Sequence, residues 1–227
     1  MTKVTAKKYT TPTVATDVAI FTIKNNILHT LLIKMNHAPF AHKWALPGGL
    51  VRPQESLDQA AARHLALQTN VTQKDAYLQQ LYTFGDVDRD PNGHVISVGY
   101  YALIPSDKIK LKTTTEFSGV DWFPLDKLPP LAYDHKSILD RALARLRFKL
   151  GYSNIAFGLM PHEFTLSALQ KTYEIILGKK VDKRNFRKKI AGLKMLKATN
   201  KMETGRANRP AYLFRFSKRV LERYNVL

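Results

Sequence analysis

The chain predicts an α+β fold in two units, and three observations carry that reading. Residues 14–150 alternate strand-like apolar blocks with an Ala-rich helix in the middle and a long helix at the end. Residues 151–227 hold two short capped helices followed by a hairpin. The formal charge of +18 is divided unevenly: residues 151–227 carry 17 Lys+Arg against 5 Asp+Glu, whereas residues 1–150 carry 19 against 13. A basic unit attached to a more balanced one implies a polyanionic partner, nucleic acid first among them.

Composition narrows the class. A hydrophobic share of 44% over 227 residues is enough to build real cores. With no cysteine, disulfides and cysteine-ligated zinc are excluded, and a reducing cytoplasm suits the chain. No apolar run approaches the ~20 residues of a membrane span. Residues 1–13 are basic with no apolar stretch after them, and read as a flexible arm rather than a signal peptide.

In order, Val14 to Ile23 reads as a buried strand, Lys24-Asn25-Asn26 as a turn, and Ile27 to Met35 as the second strand of a hairpin. Lys43 to Leu46 is a short strand entering Gly48-Gly49. Ser56 to Thr69 is a helix, with Leu57, Ala60, Ala61 and Leu65 on one face. Asp75 to Phe84 and Val95 to Ile104 are strands around an acidic loop, Gly85 to Gly93. Phe117 to Phe123 is a further strand, and a helix opens at Tyr133-Asp134-His135 and runs to about Leu150.

The stretch Leu46 to Val71 has a distinctive spacing. Gly48-Gly49 is followed by five residues and Glu55, then seven more and Arg63. The glycine pair permits a tight turn and close approach to a ligand. The helix then carries His64, Leu67 and Gln68, none of which is an acid. Imidazole, isobutyl and amide groups are poor ligands for Mg²⁺, which wants oxygen donors. His37 and His42 lack a third partner, so no metal is expected.

In the second unit, Gly151 to His162 reads as a linker. Thr165 is a good N-cap, with Phe164 and Leu169 placed as a hydrophobic staple, and Gly178 stops that helix. Asp182 caps the next helix, whose buried stripe is Phe186, Ile190 and Leu193. Arg184 and Lys188 lie opposite that stripe, Asn185 and Arg187 flank it, and Lys183 sits in the exposed first turn. Lys194 to Thr199 and Pro210 to Phe216 form a hairpin, the latter turning Tyr212, Phe214 and Phe216 inward. Its basic tip carries Lys201, Arg206 and Arg209. A helix-turn-helix with a basic wing binds DNA through phosphate contacts and reads bases with Arg and Asn.

The PGG start and the spacing to Glu55 and Arg63 resemble the Nudix box. Together with FTLSALQKTYEIILG, DKRNFRKKI and NRPAYLFRF, nearly the whole chain resembles the Nudix-related transcriptional regulators, the NrtR family. The resemblance implies a Nudix α/β/α sandwich over residues 14–150, followed by a winged helix-turn-helix over 151–227. In that family glutamates at the positions of His64, Leu67 and Gln68 hold Mg²⁺, so their loss implies no metal and no hydrolysis, with Glu55 and Arg63 bracing the loop.

The resemblance also implies a homodimeric, cytoplasmic bacterial repressor on double-stranded operator DNA, nucleoid-associated when bound. Such regulators usually govern NAD metabolism and respond to ADP-ribose. The effector site is expected at Trp44, Gly48, Gly49, Arg63, Asp88, Arg89, Tyr101, Asp134 and His135. There Arg89 would pair with a phosphate, and Trp44 or Tyr101 would stack on a base. The blander alternatives are that Asp90 to Gly93 is a plain turn, that Asp134 only caps its helix, and that His135 lies on the surface. The DNA face is expected at Thr165, Lys183, Arg184, Asn185, Arg187, Lys188, Lys201, Arg206 and Arg209. Two rivals are a regulator answering a neutral pentose such as arabinose, and an ADP-ribose pyrophosphatase with ligands displaced to Asp86, Asp88 and Asp90.

Overall fold

The computed structural model describes residues 11–72, 76–105, 117–203 and 210–226. Its spine is β1 (Thr13–Lys24), in which Val18, Ala19, Ile20 and Phe21 are all fully buried. A strand with no exposed face must be covered on both sides, and its sequence is accordingly a continuous apolar run rather than an alternation. Its C-terminal half pairs antiparallel with β2 (Ile27–Met35) through a turn in which Asn25 and Asn26 both adopt positive φ.

β2 also pairs with β3 (Trp44–Ala45) and β7 (Phe117–Pro124). The N-terminal half of β1 pairs with β4 (Gly48–Leu50). Along its other edge β1 runs parallel to β6 (Val95–Leu103), and β6 pairs with β5 (Tyr77–Phe84). β4 was not expected as a strand: the glycine pair itself joins the sheet.

One face of this seven-stranded sheet is covered by α1 (Leu57–Thr69). There Ala61 and Leu65 pack with Val18, Ile20, Leu31, Tyr100 and Trp122. α1 begins with a reciprocal capping box between Ser56 and Gln59 and ends at Asn70 with φ 60°. α2 (His135–Tyr152) covers the other face through Ile138, Leu139, Ala142 and Leu146. Among the described residues no helix is long and apolar enough to cross a membrane.

The second unit has α3 (Leu166–Leu177), capped by Thr165 and closed by Gly178 at φ 70°, and α4 (Lys183–Gly192), capped by Asp182. Phe186 and Ile190 are the buried side of α4, and Leu193 is partly buried. β9 (Leu196–Met202) and β10 (Tyr212–Phe216) form the wing, and a third strand, β8 (Phe164–Thr165), adds to β10. Phe216 points inward as expected, but Tyr212 does not and is 60% exposed. An irregularity in the β9–β10 register between Tyr212 and Phe214 breaks the alternation.

The largest departure is the expected linker. α2 continues to Tyr152, and a 3₁₀ turn follows at Ile155–Gly158. Ile155, Ala156, Phe157, Leu159 and Met160 are buried in one cluster with Leu103 and Leu150 on one side and Phe164, Leu169, Tyr173 and Phe186 on the other. The stretch read as a linker is a close-packed plug instead. A Cβ on Gly158 would lie 2.7 Å from Leu103 Cβ. The C-terminal residues close over the plug, with Tyr224 N donating to Tyr152 O and Val226 N to Gly151 O, both at 2.8 Å. Arg219 donates to the carbonyls of Phe157 and Met160 at 2.6 and 2.9 Å. Gly158→Ala is expected to lower unfolding stability by roughly 1–3 kcal/mol through overpacking. Urea denaturation checks it, and an unchanged midpoint would mean that the plug has slack.

Candidate functional site

The box is built by hydrogen bonds. Glu55 accepts from Arg63 Nε at 2.8 Å and from Arg52 N at 2.8 Å, and Arg63 Nη2 donates to Leu50 O at 3.1 Å. Arg63 therefore braces the loop, as the resemblance implied. It does not line the pocket described below.

One turn along α1, Gln68 forms a two-point pair with the Gly48 backbone: its Oε1 accepts from Gly48 N and its Nε2 donates to Gly48 O, both at 2.9 Å. The same amide nitrogen lies 3.2 Å from His64 Nδ1, and His64 Nε2 lies 3.3 Å from Leu50 O. These donors and acceptors match if the imidazole is neutral and protonated on Nε2. Burial, with Arg63 nearby, pushes the His64 pKa below its ordinary value. The His64 ring sits against Gly49, where a Cβ would lie 2.7 Å from Cε1 and where φ is +151°. Leu67 is 54% exposed. The three positions thus form a neutral lock between helix and glycine strand plus one outward leucine. Among the described residues no group of three or more His, Cys, Asp or Glu could hold a metal ion.

Beside this lock lies a cavity of about 470 Å³, walled by Ile33, Met35, Phe117 and Tyr133 and floored by Asp17, Arg89 and His135. Gly48, Gly49, Asp90 and Asn92 also line it. Asp17 is 6% exposed on β1. It accepts from Ser97 Oγ at 2.6 Å and from Arg89 Nη2 at 3.3 Å, and His135 Nε2 lies 3.4 Å away. His135 Nδ1 accepts from Leu46 N at 2.9 Å, which leaves its Nε2–H for Asp17. Burial pushes the Asp17 pKa up, but His135, Ser97 and Arg89 together pull it down to about 2. Gly48 is required here, since a Cβ would fall 2.2 Å from Asp17 Oδ1.

Several expected residues stand elsewhere or do other work. Tyr101 is fully buried and donates its hydroxyl to Gln79 Oε1 at 2.6 Å, so it has no face open to a base. Trp44 packs edge-on against Phe123 at 4.6 Å, and its neighbours Ala45 and Leu46 line the cavity instead. Asp88 is exposed and outside the lining. Arg89 is only 8% exposed, and its Nε and Nη2 donate to Asp134 at 3.0 and 2.6 Å, closing on a carboxylate the fork proposed for phosphate. Asp134 holds the N-cap position of α2 without a capping bond. His135 is buried, not on the surface. Asp17 and Ser97 were not singled out beforehand. A lone acid inside VATDVAIFTI was the available signal for Asp17.

The basic face is on α4. Lys183, Arg184, Asn185, Lys188 and Lys189 are exposed, whereas Arg187 is half-buried and donates to Ser167 Oγ on α3 at 3.0 Å. Thr165 is buried, and its hydroxyl accepts from Ala168 N at 3.1 Å as the α3 cap, which occupies it within the fold. Lys201 pairs with Glu163 at 3.0 Å. Arg206 and Arg209 lie outside the described residues.

Comparison with known proteins places both units. Residues 11–145 match the NUDIX domain model, and residues 156–216 match the model of the NrtR DNA-binding winged helix domain. The chain is 34% identical to the ADPR responsive transcriptional repressor NtrR of Acinetobacter baylyi over 211 residues, spanning 92% of this chain and 84% of the relative. Shewanella oneidensis NrtR complexed with a 27mer DNA superposes with TM-score 0.79 at 33% identity, covering 90% of this chain and 93% of that one. The NUDIX domain of the same protein complexed with ADP ribose superposes with TM-score 0.56 at 32% identity, covering 63% and 94%. An ADP-ribose pyrophosphatase of Methanocaldococcus jannaschii is 36% identical over 131 residues, 58% of this chain and 73% of that one.

The buried acid gives a pH dependence with a definite sign. Because the folded Asp17 pKa of about 2 lies below its ordinary value, the unfolded chain binds the proton more readily. The contribution, roughly 2 kcal/mol, is complete above pH ~4 and is lost as pH falls through about 2. Denaturation midpoints measured down the acid range should fall more steeply for the wild type than for Asp17→Asn. Equal slopes would show that Asp17 is not held charged.

Proposed function

Since the chain belongs to the NrtR family of Nudix-related transcriptional regulators, we propose that it is a DNA-binding repressor whose Nudix unit binds ADP-ribose as a signal and does not hydrolyse it. The observation that carries the second half is the neutral lock of His64, Gln68 and Gly48 on the box helix. Phosphoanhydride hydrolysis in the Nudix manner needs a cation at that face to gather charge on the leaving oxygens. Here the face offers one amide, one neutral imidazole and an outward leucine. The likeness to a pyrophosphatase supports the ligand class. Displaced ligands receive little support, because Asp86 and Asp88 are exposed and only Asp90 of that loop lines the cavity.

DNA recognition is assigned to α4. Arg184 and Lys188 are directed away from the Phe186 and Ile190 side, where they meet phosphate oxygens or base edges in a major groove. Repressors on two-fold operators work in pairs, and the proposed active form is a homodimer in the cytoplasm. The effector matters by preferring one arrangement of the two winged helices, and a preference of roughly 1–3 kcal/mol is enough to regulate.

Fluorescence anisotropy on a labelled duplex from the gene's own neighbourhood tests the whole reading. Binding should be tight and salt-sensitive, and ADP-ribose should shift it equally with Mg²⁺ or with EDTA present. A shift that fades as ADP-ribose is consumed with Mg²⁺ would restore the hydrolase. Arg184→Ala and Lys188→Ala should each weaken operator binding by roughly 1–3 kcal/mol where the side chain reads a base. A contact to phosphate alone would instead lower the salt slope by about one. Unchanged affinity in both variants would remove α4 as the reading helix.

A further inference from the structure

The cavity beside the box is acidic where a diphosphate would be expected to meet cations. Its lining holds the carboxylates of Asp17 and Asp90 against the single guanidinium of Arg89, with no lysine among the lining residues. Arg89 is already engaged by Asp134 through Nε and Nη2 and by Asp17 through Nη2. Asp134 adds a third carboxylate just behind it. His135 Nε2 lies 3.4 Å from Asp17 Oδ1, and its Nδ1 accepts from Leu46 N. A diphosphate pressed onto this floor would meet more negative charge than positive, and among the described residues no group of acids or histidines could hold a metal ion to offset it.

What the floor does offer is hydrogen-bond acceptors beside apolar walls. An ionised carboxylate accepts only, and its two oxygens have room for about four donors. Asp17 takes three contacts, and its Oδ1 carries just the long one from His135. Asp90 Oδ1 accepts from Asn92 N and Nδ2 at 2.8 and 3.0 Å, and among the described residues its other oxygen accepts no hydrogen bond. Neighbouring hydroxyls are the donors that suit such oxygens, while Met35, Phe117 and Tyr133 present surfaces for a ring face.

We propose that this floor takes a ribose diol of the effector, with the diphosphate held out toward the solvent. The inference rests on the ADP-ribose reading above and deepens it. ADP-ribose has a ribose at each end, so the diol could come from the terminal sugar or from the nucleoside, and the test separates them.

Titration calorimetry of the full-length protein in EDTA at fixed salt would compare ADP-ribose, ADP, 2′,3′-dideoxy-ADP and ribose 5-phosphate. With the terminal ribose on the floor, ADP binds at least about tenfold more weakly than ADP-ribose, and ribose 5-phosphate competes with ADP-ribose. With the nucleoside ribose there, ADP stays within about threefold of ADP-ribose, and the dideoxy compound loses about tenfold or more. Asp90→Asn should weaken the favoured ligand about tenfold with an unchanged denaturation curve. Dideoxy-ADP binding as tightly as ADP-ribose would overturn the proposal, since neither diol would then be read. Absence of heat with ADP-ribose, alongside intact operator binding, would instead bring down the effector reading and this inference with it.

Discussion

A single buried carboxylate, Asp17, ties the effector-binding half together. Placing a charge on the central strand of a sheet covered on both faces is costly unless every neighbour is arranged to hold it. Ser97 comes from β6, Arg89 from the loop after β5, His135 from the first turn of α2, and Gly48 makes room on β4. Four separate segments therefore have to reach their places for the charge to be satisfied. Arg89, His135 and Gly48 also line the cavity with Asp17, so the demand that fixes the fold also shapes the site.

The box shows the complementary case, a helix face held to its glycine strand by neutral groups. Glu55 and Arg63 keep the loop pinned to the helix, and the glycine strand still lies against α1. What holds that strand is Gln68 on the Gly48 peptide, together with a histidine whose two nitrogens each have a partner. Such a lock is satisfied internally and has no need of a cation. At these positions the helix face presents an amide, an imidazole and a leucine rather than carboxylate oxygens, the donors that Mg²⁺ prefers.

What was legible in the sequence is what local chemistry decides. The caps at Thr165 and Asp182, the stop at Gly178, the hairpin turn at Asn25-Asn26 and the Phe186–Ile190 stripe depend on neighbours a few residues away, and all stand where the pattern put them. The partners of Arg89 were not legible. Its fork closes on an acid 45 residues later in the chain, and nothing near Arg89 distinguishes that from a fork awaiting phosphate. Tyr101 failed for a related reason: alternation along β6 says that it faces one side, but not that α2 seals that side. Tyr212 shows the limit of alternation itself, because one irregularity in register turns the ring outward.

The misread linker constrains how a signal can pass between the halves. A flexible 151–162 would have allowed the winged helix to swing independently. Instead, Ile155 to Met160 lie within one close-packed cluster shared by both halves, α2 runs straight into it, and Arg147 on α2 donates to Ile176 O on α3 at 2.8 Å. Packed interiors do not deform continuously; they hold one arrangement or pass to another. The proposed effector site at Asp17 and His135 lies at the N-terminal end of α2, while the winged-helix unit packs at its C-terminal end. Any preference the effector has must therefore be expressed in one of two ways. It can open that shared core, at the cost of exposing its apolar side chains, or, in the proposed homodimer, it can change how two otherwise rigid chains are set against each other. The second leaves the core intact and requires the smaller difference in affinity between states.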